Sequence, residues 1–484
     1  MRIRWLSGIL FCFIFGPTVQ ARDRLNIQAV LDAESQTISG RVAIEFEARG
    51  AEYSDLRFRL YPNLQCDSDS ACGIRIDSLK VGSLNVTPEL IVNGTDAHVE
   101  LEQGVAASEK LDAEIWFKTN IPAAEPRLGV SEGKCTLTGW FPMPAPWREG
   151  RWQKVRYRSF LEPAADLADI RGTISYPDSL PLIAPGILAS DTGVGQVTAE
   201  LELKAAAGLP LFFGTGYRLD STTVNGAKLK IYYRNEDRFM VDTVRAAATA
   251  AMAFMSDFVM PYPHDELIIV VGGLSTGGGL EQPRMILASV PPRTVITRLY
   301  AAMITHEVVH QWFYGIVNSN QAETPWLDEA VTEYFAHKIG SYRAGDEPDL
   351  LDLFGLTANH ATLTRLNARS VFEAYPVDLP GSGFYNSMIY YRTVYRKGTL
   401  VLKTLGALMG EENEQSFWQD YASSFMYEVP RAEDFVRLAN NYLPASDSAG
   451  AAIILKTLAP TDFSVVSLSS KPVATLVDST GEAA

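Results

Sequence analysis

The run His306-Glu307-Val308-Val309-His310, with Glu329 standing 19 residues after the second histidine, constrains the fold of this 484-residue chain more than any other feature. Two histidines four apart share one face of a helix, so both can reach one metal ion. Residues 297–315 are apolar and free of proline and internal glycine, which predicts a buried helix carrying the pair. Thr324-Pro325 reads as an N-cap and first-turn proline, predicting a second helix over 326–339 with Glu329 near its start. Packed side by side, two such helices bring Glu329 to the histidines. Ligands of the kind His, His and Glu leave one zinc position open, as catalytic sites do and structural sites do not. Glu307 then lies where a general base toward a water would lie. The competing reading is a pair of core histidines satisfied by backbone groups. A metzincin is excluded, because Phe313 and Ile316 stand where that pattern needs Gly and His.

Length allows two or three domains. Net charge is −15 and no basic cluster is visible, which argues against nucleic acid as a partner. Arg2 and Arg4 precede an apolar run of 11 residues over 6–16, too short to span a bilayer, and Val19-Gln20-Ala21 offers a cleavage site. Residues 1–21 therefore read as a signal peptide, with the mature chain exported to a periplasm or secreted; a retained anchor is the alternative. No later segment is long and apolar enough to be transmembrane. Cys66 and Cys72 flank a polar loop and could close a small disulfide in an oxidising compartment, leaving Cys135 over, although pairing cannot be read from sequence. Asn85-Val86-Thr87 and Asn93-Gly94-Thr95 match the glycosylation acceptor pattern, which matters only in a eukaryotic source.

Residues 22–235 read as a β-rich domain, with alternating runs at 40–47, 111–117, 171–176 and 228–233 separated by turn residues. Near Asp237 the period changes. Residues 237–258 predict an amphipathic helix, 266–271 a buried strand, and helices dominate from 297 to about 442, giving a second domain over 236–445. Residues 446–484 form an extension whose last part reads as a short strand or a disordered tail. The fold class is α+β and multidomain.

Two further stretches bear on the site. Gly277, Gly278 and Gly279 follow the buried strand and allow close backbone approach, and Glu281 could meet a substrate cation. A flexible loop with a solvated glutamate is the alternative. Tyr395, Tyr390 and Tyr391 each offer a hydroxyl to an oxyanion, and chemistry alone does not choose among them. Glu333, one turn beyond Glu329, reads equally as a carboxylate that orients a metal ligand and as a solvated one.

Three separated pieces together resemble the zinc aminopeptidases of the aminopeptidase N and leukotriene A hydrolase family, a gluzincin group. His306, Glu307, His310 and Glu329 match its HExxH-x18-E; Gly278-Gly279-Leu280-Glu281-Gln282 is similar to its GAMEN motif; Tyr395-Arg396-Lys397-Gly398 is similar to its YxKG. Trp326-Leu327-Asp328-Glu329 resembles WLNE, and Trp140-Phe141-Pro142 resembles a WFP segment of the family's first domain. The resemblance implies a sandwich- or saddle-like β domain followed by a thermolysin-like, mainly helical catalytic domain. It implies one Zn2+ per chain on His306, His310 and Glu329, with Glu307 as base. Glu281 would hold the α-amino group of a peptide with a free N-terminus, Gly278 and Gly279 would line the substrate, and Tyr395 would be the oxyanion donor. The chain departs from the pattern at Gln282-Pro283 and Leu280. About 90 residues follow Tyr395, too few for the large C-terminal helical domain that covers the site in many members, so the resemblance does not imply an enclosed site. The rival expectations are a zinc endopeptidase or other hydrolase on the same scaffold, and a non-catalytic binding protein retaining the fold.

Overall fold

The structure is a computed structural model. It describes residues 22–47, 53–65, 73–105, 111–123, 127–153, 161, 163–275, 278–291, 297–344, 349–353, 356–369, 371, 375–444 and 450–456. The expected signal peptide, Cys66, Cys72, Gly277 and the stretch 457–484 lie outside the described residues. Cys135 is a buried free thiol. Among the described residues no helix is long and apolar enough to cross a membrane.

The first half is β structure, as its alternating pattern requires. Strand Arg24–Asp32 alternates exposed and buried without a break, pairs antiparallel with Thr37–Phe46, and pairs parallel with Ala168–Pro177. These strands lie at the centre of an eight-stranded sheet. Two four-stranded sheets, one containing Tyr53–Arg59 and the other Lys134–Leu137, complete this part. Their shared core includes Trp140 and Phe141, and the Trp140 indole donates to the Leu209 carbonyl at 2.8 Å.

A five-stranded sheet follows in the order Arg218–Val224, Ala227–Tyr233, Glu266–Val271, Met285–Ala288, Gly279–Gln282. Its central strand is buried at five of six positions and pairs in parallel on both sides, which is why its sequence is a continuous apolar run. The first two strands precede residue 235 yet hydrogen-bond into this sheet, so by pairing they belong with the second half rather than with the β domain expected over 22–235. The strand Gly279–Gln282 lies at the sheet edge, paired only with Met285–Ala288.

Helices α1 (Val241–Phe258) and α2 (Thr297–Val309) pack against this sheet, α3 (Glu329–Ala344) packs on both of them, and α4 (His360–Ala368) lies against the strand Leu356–Asn359 and residues 392–397. The helix expected from Asp237 opens with a 3-10 turn over Asn235–Met240. Residues 450–456, assigned by sequence to the C-terminal extension, form a helix that buries Ala451 and Leu455 in the core of the second half. Both halves touch near the site: Lys134 and Thr136 donate to the carbonyls of Gly272 and Gly273 at 3.1 and 3.2 Å, and Asn318 donates to the Ala165 carbonyl at 2.8 Å.

Candidate active site

Helix α2 ends at Val309, earlier than the apolar run suggests. Gln311 N and Trp312 N bond to carbonyls only three residues back, and Tyr314 sits at φ 129°, where a helix cannot continue. His310 still bonds to the His306 carbonyl at 3.2 Å, so the two histidines keep helical spacing. Thr324 does not cap the next helix through its side chain, which donates instead to the Asn320 carbonyl. Residues Pro325–Leu327 form a 3-10 turn, and α3 then starts at Glu329.

The packing of α2 on α3 brings three donor atoms together. His306 Nε2 and His310 Nε2 lie 3.1 Å apart, and Glu329 Oε2 lies 3.3 and 3.4 Å from them. For metal–ligand bonds of about 2.0–2.1 Å, one edge of a tetrahedron is about 3.3–3.4 Å. The triangle therefore has the size of one face of a tetrahedral zinc site. Two further observations fit a cation there. Glu329 Oε2 is buried yet makes no hydrogen bond of normal geometry, and the two ring nitrogens face each other at 3.1 Å. His306, His310 and Glu329 are thus suited to hold zinc.

The outer nitrogens of both rings are fixed by carboxylates. Glu333 Oε2 lies 3.0 Å from His306 Nδ1, and Asp328 Oδ1 lies 2.8 Å from His310 Nδ1, with Thr332 Oγ1 and the Phe313 carbonyl also near. Such contacts set the tautomer that leaves Nε2 free for a metal. Asp328 is itself held by Gln321 Nε2. Burial alone would push His306 down, but Glu329 and Glu333 outweigh it and hold the ring up at about 9. Burial would raise Glu329, but the two histidines hold it below the usual carboxylate range. Both directions mark a pocket that favours a positive centre among these groups.

Glu307 and Glu281 converge on the same place from different elements. Each offers a carboxylate oxygen, and His310 a nitrogen, all within 4.8 Å of one another, and all three residues are buried. Glu281 comes from the edge strand, Glu307 from α2. Gly279 makes the approach possible, because a Cβ at that position would lie 2.4 Å from Cγ, Cδ and Oε1 of Glu307. Gly278 sits at φ 124°, and its N–H and carbonyl bond to Ser289 Oγ and Ser289 N at 2.9 and 3.0 Å.

Of the three tyrosines, the Tyr395 ring stacks on His306, with centroids 5.8 Å apart and planes 14° from parallel. Tyr390 is buried against Phe384, and the Tyr391 hydroxyl accepts from Arg396. The structure thus brings His306, Glu307, His310, Glu329, Glu281 and Tyr395 together, with Gly279 on the edge strand beside them and Gly278 just before it. Sequence reading left out Asp328, although it adjoins Glu329, and left Glu333 undecided between two roles. It also gave Gly279 no specific partner, since nothing in the sequence says that Glu307 lies under it.

A β-rich part and a helical part thus carry a His-His-Glu donor set beside a buried glutamate, the arrangement that the sequence resemblance implies. Residues 243–452 match the Peptidase family M1 domain. Leucine aminopeptidase 2 of Aspergillus niger is 22% identical over 368 residues, covering 73% of this chain and 57% of that protein. Aminopeptidase B of Mus musculus is 28% identical over 181 residues, covering 36% of this chain and 27% of that protein. The chain thus spans about half, or less, of the length of these relatives. An M1 zinc metallopeptidase from Deinococcus radiodurans has a similar fold, with TM-score 0.66 and 15% identity over 91% of this chain and 94% of that one.

Proposed function

We propose that the protein is a zinc-dependent aminopeptidase that hydrolyses the N-terminal bond of peptides. The observation that carries this reading is the convergence of Glu281 and Glu307 on the His310 side of the donor triangle. A base alone suits any zinc hydrolase; a second buried carboxylate gives the site an end. The relatives named as aminopeptidases support the same reading. Bound zinc would polarise the scissile carbonyl and lower the pKa of a water to about 7. Glu307 accepts the proton of the attacking water and later delivers it to the leaving amine. Glu281 pairs with the substrate's α-ammonium and sets the cut one residue from the end. Tyr395 donates its hydroxyl to the carbonyl oxygen as charge develops. Gly278 and Gly279 present edge-strand backbone to the substrate.

Export to a periplasm or beyond is part of the proposal, on the basic start and short apolar run before Ala21. N-terminal sequencing of the chain from fractionated cells tests it; a protein still starting at Met1 would refute cleavage. For the activity, a panel of aminoacyl fluorophores assayed with and without a chelator is decisive. Cleavage abolished by the chelator and restored by stoichiometric zinc is expected. Internal cleavage of N-acetylated peptides would favour an endopeptidase instead.

A further inference from the structure

Glu333 and His337 of α3 and His360 at the start of α4 form a second buried cluster, whose ligand atoms also lie within 4.8 Å of one another. A second metal ion is one reading of it. The carboxylate already has a cation, however: Arg396 Nη1 donates to Glu333 Oε1, the oxygen that lies 3.3 Å from His337 Nε2. The other oxygen, Oε2, faces His306 Nδ1.

Arg396 is also tied to the tyrosines. Its Nε donates to the Tyr391 hydroxyl at 2.8 Å, and its guanidinium lies 4.8 Å from the centre of that ring. Tyr391 in turn packs on Tyr395 at 5.2 Å, and Tyr395 stacks on His306. The contacts close a circuit: His306, Glu333, Arg396, Tyr391, Tyr395 and back to His306. Backbone geometry makes the circuit possible. Residues Arg392–Lys397 form a π-helical segment, in which positions five apart come onto one side. Tyr391 and Arg396 are such a pair; in an α-helix they would diverge.

We propose that Arg396, acting through Glu333 and Tyr391, is a positioning residue that holds the metal ligand His306 and the oxyanion donor Tyr395 in one fixed register. The inference rests on the aminopeptidase reading for Tyr395, but its other arm, the orientation of His306, does not. Arg396 donates to one oxygen of Glu333 while the other faces His306 Nδ1, so the guanidinium holds the carboxylate in place and the carboxylate holds the His306 ring. The same guanidinium fixes Tyr391 and, through it, the face of Tyr395. The cluster of Glu333, His337 and His360 is then an arginine-filled clamp rather than a second metal site.

The test compares wild type, Arg396→Ala, Arg396→Lys, Glu333→Gln, Tyr395→Phe and the double variant Arg396→Ala/Tyr395→Phe. Zinc affinity is read by competition with a chelating dye, and kcat and KM on an aminoacyl fluorophore well below each variant's melting temperature. Expected are one zinc per wild-type chain and about tenfold or more weaker zinc binding in Arg396→Ala and Glu333→Gln. Also expected is a kcat loss of about tenfold or more in Arg396→Ala with KM within about threefold. Arg396→Lys should recover part of both, since it keeps the charge but not the fork. In the Tyr395→Phe background Arg396→Ala should cost much less kcat, because its target is already gone. Unchanged zinc affinity together with unchanged kcat overturns the proposal, as does full additivity of the two substitutions. Two zinc ions per chain, falling to one in His337→Ala, would overturn it in favour of a second metal site. If Arg396→Ala does not fold, Arg396→Lys and Glu333→Gln carry the same comparison. If wild type shows no aminopeptidase activity, the earlier reading fails, and the zinc-affinity arm still decides whether Arg396 governs His306.

Discussion

Replacing Gly279 by alanine should disable the base without touching the metal. The added Cβ would stand 2.4 Å from three atoms of the Glu307 side chain. Carbon atoms in contact normally keep about 3.5–4.0 Å. Either the strand or the carboxylate must therefore retreat by about 1 Å. The strand is held by its pairing of Gly279 with Ala288 and of Gln282 with Met285, whereas the contacted Glu307 atoms belong to a side chain with several rotatable bonds. The carboxylate is the part that yields. A displacement of about 1 Å at a reacting group can cost about a hundredfold in rate, equivalent to about 2.7 kcal/mol of barrier. The substitution adds no backbone strain, because Gly279 is not among the positive-φ glycines. Gly278→Ala is the control: nothing lies within 4 Å of its Cβ, but its φ of 124° is strained for alanine, so it should lower stability by about 1–3 kcal/mol. The assay is kcat on an aminoacyl fluorophore with zinc content measured on the same sample. Full zinc with kcat down about a hundredfold in Gly279→Ala is expected. A kcat within threefold of wild type, with a normal fold, would refute the packing of Glu307 on Gly279.

Three other outcomes follow from the same geometry. Glu307→Gln should retain one zinc and lose turnover; zinc falling in parallel would make Glu307 structural. Asp328→Ala removes the carboxylate 2.8 Å from His310 Nδ1 and should weaken zinc binding about 10- to 100-fold in a chelator competition; unchanged affinity would show that Thr332 and the Phe313 carbonyl suffice. His264 is held down at about 3, first by burial and then by Arg284. Its folded pKa lies below the unfolded value near 6.5, so between these limits the unfolded chain binds a proton that the folded chain does not, and stability falls as pH falls. The loss is about 1.4 kcal/mol per pH unit below about 6.5. Urea denaturation should show His264→Asn gaining about 1 kcal/mol on wild type between pH 7.5 and 5.5, and no change in the gap would contradict the burial of a neutral ring.

What could be read beforehand followed from local periodicity and from chemistry carried by a few residue types. The alternation of Arg24–Asp32, the apolar run of Glu266–Val271 and the four-residue spacing of His306 and His310 each dictate an element within one segment. The donor set of His306, His310 and Glu329 was legible because metal ligation allows few alternatives. Other features depended on which distant segments meet. The pairing of Ala227–Tyr233 with Glu266–Val271 moves the hydrogen-bonded boundary away from residue 235, and no periodicity signals it. Helix α2 ends early in tight turns, Gln311 N and Trp312 N bonding three residues back and Tyr314 N bonding forward to the Val317 carbonyl, which the apolar pattern conceals. Thr324 looks like a cap, but Asn320 takes its hydroxyl. Glu333 reads equally as a solvated carboxylate and as one that orients a metal ligand until α2 and Arg396 are placed against it.

The most direct measurement is mass spectrometry of an unblocked peptide and its N-acetylated twin after incubation with wild type and with Glu281→Ala. The account predicts stepwise loss of single N-terminal residues from the unblocked peptide, none from the acetylated one, and a raised KM for the free amine in Glu281→Ala. Equal cleavage of both peptides at internal bonds, or no change on replacing Glu281, would contradict the claim that this carboxylate fixes the substrate's end.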